Sequence, residues 1–133
     1  MEVDFSGVDD VMSYLSVPEG RYRCRVGEVR EGWTRDGHPR WTFRLEVSAG
    51  EFAGRTAAWD GVGWSERGLK RTKHVLASLG FDVGGRIEIE PADLVGHEVW
   101  VQIVAEERLD PGTGVRQIRP RVPYLGYEAL EAA

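Results

Sequence analysis

Hydrophobic and polar positions alternate along much of this chain. Tyr22, Cys24 and Val26 interleave with Arg21, Arg23 and Arg25, the period of two expected of a strand with one face on a core. A turn region from Glu31 to Pro39 follows, and its Asp36-Gly37 pair is a hairpin signal. The clearest alternation is next: Trp41, Phe43, Leu45 and Val47 against Arg40, Thr42, Arg44 and Glu46. It assigns Trp41 to the core face. Gly50 and Gly54 bracket a turn, Arg55 to Asp60 reads as a third strand, and Gly61 and Gly63 break the pattern. The period then changes. Leu69, Thr72, Leu76 and Leu79, with Val75 beside them, predict a helix, with Ser65 as its N-cap and Gly80 as its stop. Phe81 to Gly96 is a connector containing a short turn at Ala92–Val95. A fourth strand spans Glu98 to Glu106, with Val99, Val101, Ile103 and Ala105 on one face. After the loop Asp110–Gly114, a fifth runs from Val115 to Tyr124, restricted to an edge or a bulge by Pro120 and Pro123.

Three strands, a helix and two strands is the order of the OB-fold, so the expected class is mostly β: a five-stranded Greek-key barrel with one α-helix between strands three and four. The expected division is an acidic leader over 1–17, with an amphipathic turn from Val8 to Leu15, then a barrel domain over 18–127 and a short tail over 128–133. Such barrels use the face of strands two and three, plus the loops after strands one and four. Those loops are Glu31–Pro39 and Glu107–Gly114.

Composition narrows the function. The 133 residues suit one domain with a single core. No run of about 18 apolar residues exists. The acidic start, with Glu2, Asp4, Asp9 and Asp10, does not resemble a secretory signal. Cys24 is the only cysteine, so no internal disulfide or thiolate cluster forms, and a reducing cytoplasm is the expected compartment. The net charge of −5 opposes nucleic-acid binding until its distribution is considered. Residues 21–73 carry twelve Lys and Arg against seven Asp and Glu, between acidic flanks, and local fields steer ligands.

Enzyme signatures are missing. His38, His74 and His97 lack metal-ligand spacing to one another or to Cys24. There is no phosphate-cradling loop and no nucleophile elbow, and Gly61-Val62-Gly63 lacks the downstream glycine of a dinucleotide loop. The expectation is a binding protein with no catalytic residue, metal or cofactor.

Basic residues interleaved with aromatics form the stronger pattern. The candidate nucleic-acid-binding residues are Arg23 and Arg25 on strand one, Trp33 and Arg35 in its loop, Arg40 and Arg44 on strand two, and Arg119 and Arg121 on strand five. Cations track phosphates and aromatic faces stack bases. Trp33 is either a stacking residue or a plug over the barrel end. Trp59 and Trp64 are undecided, and Trp100 lies outside or under the helix. The bland alternative is a charged exterior in which the arginines pair with Glu28, Glu46 and their neighbours.

Several segments resemble a phage protein family long described only as a domain of unknown function. They are Val17-Pro18-Glu19-Gly20-Arg21-Tyr22, Trp41-Thr42-Phe43-Arg44-Leu45-Glu46-Val47, Glu51-Phe52-Ala53-Gly54-Arg55, Leu79-Gly80, and Leu94-Val95-Gly96-His97-Glu98-Val99. The resemblance covers roughly residues 15–125. It implies an OB-fold protein that binds single-stranded DNA in the cytoplasm of a bacterial host, beside phage replication or recombination proteins. The end of the chain, Glu128 to Ala133, departs from the long acidic tails of bacterial single-strand binders. A second class of function is a protein-interaction module on the same barrel, without nucleic-acid binding.

Overall fold

The computed structural model describes residues 1–4 and 11–130. Strand β1 is Val11–Ser13, β2 is Gly20–Trp33, β3 is Pro39–Val47 and β4 is Thr56–Gly63. Helices α1, Leu69–Leu79, and α2, Pro91–Leu94, follow. Strands β5, Glu98–Leu109, β6, Arg116–Arg121, and β7, Tyr127–Glu128, complete the chain. The protein is mostly β. Strands β2 to β7 are joined antiparallel, in the order β6-β5-β2-β3-β4 with β7 beside β5, and β1 adds to β6 in parallel.

A five-stranded Greek-key barrel of the OB type is expected from the sequence. Among the described residues the sheet has seven strands, and it is not closed. The edge strand β4 touches β6, but the two exchange no ladder hydrogen bonds among the described residues. The two additional strands, of three and two residues, are too short to show a period. The leader is also corrected in part. Val8 to Asp10 of the expected amphipathic turn lie outside the described residues, whereas Val11–Ser13 is extended and pairs with Arg116–Ile118. Strand β6 therefore has neighbours on both sides over that stretch. Pro120, which cannot donate to a ladder, falls beyond it.

Alternation places the core correctly. Cys24, Val26, Phe43, Leu45, Val99, Val101 and Ile103 have no exposed surface. Each buried aliphatic or aromatic side chain contributes roughly 1.5–3 kcal/mol. Ala105, expected among them, is exposed, because β5 by then has left β2 and pairs with β6. In α1, Thr72, Val75, Leu76 and Leu79 are buried and Leu69 is not. Ser65 caps the turn ahead of the helix, its Oγ accepting from the Gly68 N–H at 3.1 Å, while Gly68 is the N-cap itself. Gly80 ends the helix in the left-handed region at φ 104°. Leu94 of α2, fully buried, closes the core opposite.

Two buried acids link the fold to pH. Burial pushes the Cys24 thiol from 9.0 up to about 12. Burial, and then the neighbouring Asp60, raise the Tyr127 phenol well above 10.0. Both groups are held neutral in the folded chain. The unfolded chain gives up the thiol proton near pH 9 and the phenol proton near 10, so the stability these two groups contribute is fully present below pH 9 and declines as the pH rises above it. Each group contributes a slope of about 1.4 kcal/mol per pH unit. Urea unfolding through this window should show the fall, and Cys24→Ala should remove the part that begins first. A flat profile would contradict the burial of both groups.

Candidate functional site

Because Cys24 and Val26 point inward, Arg21, Arg23 and Arg25 point outward, opposite Gln102, Trp100 and Glu98 of β5. The register of β2 against β3 then slips between Val26 and Glu28, a β-bulge at Gly27. One extra residue exchanges the faces of everything downstream. Val29 is returned to the core side opposite Phe43, while Glu28, Arg30 and Gly32 face outward opposite Arg44, Thr42 and Arg40. Strand β4 extends this outer face with Trp59 beside Arg44, Gly61 beside Thr42, and Gly63 beside Arg40.

The outer face of β2, β3 and β4 thus carries an exposed tryptophan framed by arginines. Trp59 is 40% exposed. The Arg30 guanidinium carbon lies 4.5 Å from its ring centroid, and Arg30 Nε donates to Glu28 at 3.0 Å. Arg44 Nη1 donates to Thr56 Oγ1 at 3.5 Å and sits 3.9 Å from Glu46. Glycines let two guanidinium groups lie down on the sheet. A Cβ at Gly27 would meet Arg44 Nη2 at 2.6 Å, and one at Gly61 would meet Arg40 Nη2 at 2.7 Å and the Trp41 carbonyl oxygen at 2.9 Å. The arginine can swing away but the carbonyl cannot. Gly61→Ala should therefore force β3 and β4 apart locally and cost about 1–2 kcal/mol in a urea titration. An unchanged midpoint would mean that this close packing is absent in solution.

The remaining candidates are more dispersed. Trp33 is the last residue of β2, opposite Pro39, rather than a loop residue. The turn proper is Thr34 to His38, closed by Thr34 N–H to His38 O at 2.8 Å. At 73% exposed, Trp33 plugs nothing. Arg35 is exposed in that turn. Arg23 donates to Glu98 through Nε at 3.1 Å, and Arg25 lies 3.5 Å from Glu46. The pairing with glutamates expected on the bland reading is therefore present for these two, for Arg44 beside Glu46, and for Arg30 with Glu28. Arg40 has no carboxylate partner among the described residues. Arg119 and Arg121 stand on β6, separated from β2 by β5. Arg119 covers the Tyr14 ring at 4.4 Å, and Arg121 lies opposite Val104. The structure brings Arg25, Arg40 and Arg44 onto one face with Arg30 and Trp59, with Arg23 further along it toward β5, and puts Arg35 in the hairpin turn. Trp33, opposite Pro39, stands on the other face with Val29 and Trp41, and Arg119 and Arg121 lie elsewhere.

Trp59 and Arg30 are the residues that sequence reasoning misses. Ala58 and Val62 flank Trp59 with the right spacing for an outward residue, but Gly61 and Gly63 read as the end of the strand. Trp100 lies outside, under the Arg21 guanidinium at 4.6 Å. At the second expected ligand loop, hydrogen bonds from Arg116 hold Glu107 below the usual carboxylate range, and the Gly112 N–H and Thr113 hydroxyl do the same for Asp110. That loop is self-satisfied. A separate network ties α1 to the sheet: Asp60 accepts from Arg71 Nη2 at 2.7 Å and from the Tyr127 hydroxyl. Among the described residues no three His, Cys, Asp or Glu side chains gather as a metal would need. No helix there is long and apolar enough to cross a membrane. The chain matches no protein-family model and no curated protein sequence.

Proposed function

We propose that the chain binds single-stranded DNA without reading its sequence, on the outer face of β2, β3 and β4, in phage or prophage replication or recombination. The observation that carries this is Trp59, exposed beneath Arg30 and opposite Arg44, with Arg40 lying over nearby Gly61 on the same face. Every unpaired base offers a π-face to such a ring, and the guanidinium groups suit the phosphates between bases. Arg35 extends the surface at the hairpin end, where Trp33 is exposed on the other face of the sheet. We also read the architecture as an open variant of the OB-fold. The β2–β3–β4 meander, the helix before β5, the place of β5 beside β2, and the contact of β4 with β6 support that reading.

The test is a tryptophan-fluorescence titration with oligo-dT at several salt concentrations. Log affinity should fall linearly with log salt by roughly 0.7 per phosphate held, or about 3 in all if Arg30, Arg35, Arg40 and Arg44 each hold one. A flat dependence would remove the arginines from the interface. A preference for duplex would remove the ligand.

A further inference from the structure

The segment Arg86-Ile87-Glu88-Ile89-Glu90 alternates like a β-strand yet belongs to none. Two β-branched residues separated by charged ones favour a pleated, half-buried surface. Arg86 to Ile89 nevertheless make no backbone hydrogen bond among the described residues. Glu90, the next residue, is extended at φ −112°, ψ 157°. Ile89 packs on the core and Ile87 is exposed.

Beside this segment lies a cleft of about 590 Å³. Trp41 and Trp64 meet there nearly edge to face, 4.8 Å between centroids at 66°, with Pro39 alongside. The two isoleucines form the opposite wall, and among the described residues Glu88 and Glu90 supply its only charged groups. The Trp64 Nε1–H is buried without a hydrogen-bond acceptor. Nothing in this lining suits a phosphate. An apolar floor with an acidic rim complements an apolar and basic ligand, and unpaired backbone next to it is what strand addition uses.

We propose that this cleft is a docking site for an extended segment of a partner protein in which apolar residues alternate with Lys or Arg, paired along Arg86–Ile89. The apolar side chains enter beside Trp64 and Ile87, and the basic ones meet Glu88 and Glu90. The proposal is independent of the DNA reading, because it uses neither Trp59 nor the arginines around it.

The probe is a capped, tryptophan-free hexapeptide alternating lysine and valine, titrated into the full chain while the indole N–H resonances are followed by NMR. The expected result is a saturable shift of the Trp64 resonance, with Trp59, on the other face of the sheet, unmoved. A glutamate–valine peptide should have no effect. Glu88 is exposed and outside every hydrogen-bonded element, so Glu88→Lys should fold normally and weaken the lysine peptide about fivefold or more, since it replaces attraction with repulsion. Three results would each overturn the proposal: no Trp64 shift at millimolar lysine peptide, equal binding of the glutamate peptide, or a Glu88→Lys variant that binds as well as the parent. Oligo-dT in the same assay should move Trp59 instead, so failure of one site is distinguishable from failure of the other.

Discussion

Trp41→Ala should cost about 3–5 kcal/mol of folding stability, the range for deleting a large aromatic from a packed interior. Trp41 is 9% exposed and continues the inner row of Phe43, Leu45 and Val47. Its ring is held edge to face by Trp64, an arrangement worth about 0.5–1.5 kcal/mol beyond the area it buries. Little can move in to fill the space, because β3 is fixed on both sides, by β2 and by β4. Urea denaturation of the variant beside the parent measures the loss. A loss under about 1 kcal/mol, the size of an ordinary surface substitution, would mean that the two faces of β3 are exchanged. Arg40 and Arg44 would then be withdrawn from the outer surface.

Trp59→Ala should weaken oligo-dT binding by roughly five- to a hundredfold, since one base–aromatic stack is worth about 1–3 kcal/mol by alanine substitution. Its stability should change little. The ring is partly in solvent, and the contact given up is one guanidinium face supplied by Arg30. Trp33→Ala is the companion variant: its side chain, 73% exposed at the end of β2 but on the other face of the sheet, should alter neither binding nor melting much. Affinity and thermal midpoint, measured together for both variants, separate the possibilities. A Trp59→Ala variant that binds as the parent does would remove the aromatic part of the interface. A variant that unfolds while its folded fraction binds normally would make that tryptophan structural.

The strands were legible wherever alternation ran undisturbed. The Trp41 to Val47 row and the Val99 to Ile103 row fall inside as their period requires. Gly80 was legible as a helix stop because a left-handed residue is needed there. Elsewhere the signal was local while its cause was distant. A bulge at Gly27 extends β2 to Trp33, and the face exchange it creates brings Arg30 over Trp59. Nothing near Gly27 in the sequence tells a bulge from a turn. Gly61 and Gly63 looked like breakers, yet β4 runs through both, and at Gly61 the Trp41 carbonyl of β3 stands where a Cβ would lie. The pairing of β1 with β6 joins residues about a hundred positions apart through a parallel ladder, and three residues carry no period from which to infer it. The candidate arginines were legible as a group but not as neighbours. Which of them share a surface depends on strand order, and that set Arg119 and Arg121 apart from the others.

Strand β1 covers the outer edge of β6 at Arg116–Ile118, and Pro120 blunts the edge just beyond. A sheet margin left bare is a template on which a second molecule can grow. Shortening the chain past Ser13, or fusing a bulky affinity tag that pulls Val11–Ser13 away, would uncover that margin. Preparations made in this way would be prone to slow, concentration-dependent self-assembly on storage. Material carrying an undisturbed N-terminus is the form in which to judge whether the protein is a monomer.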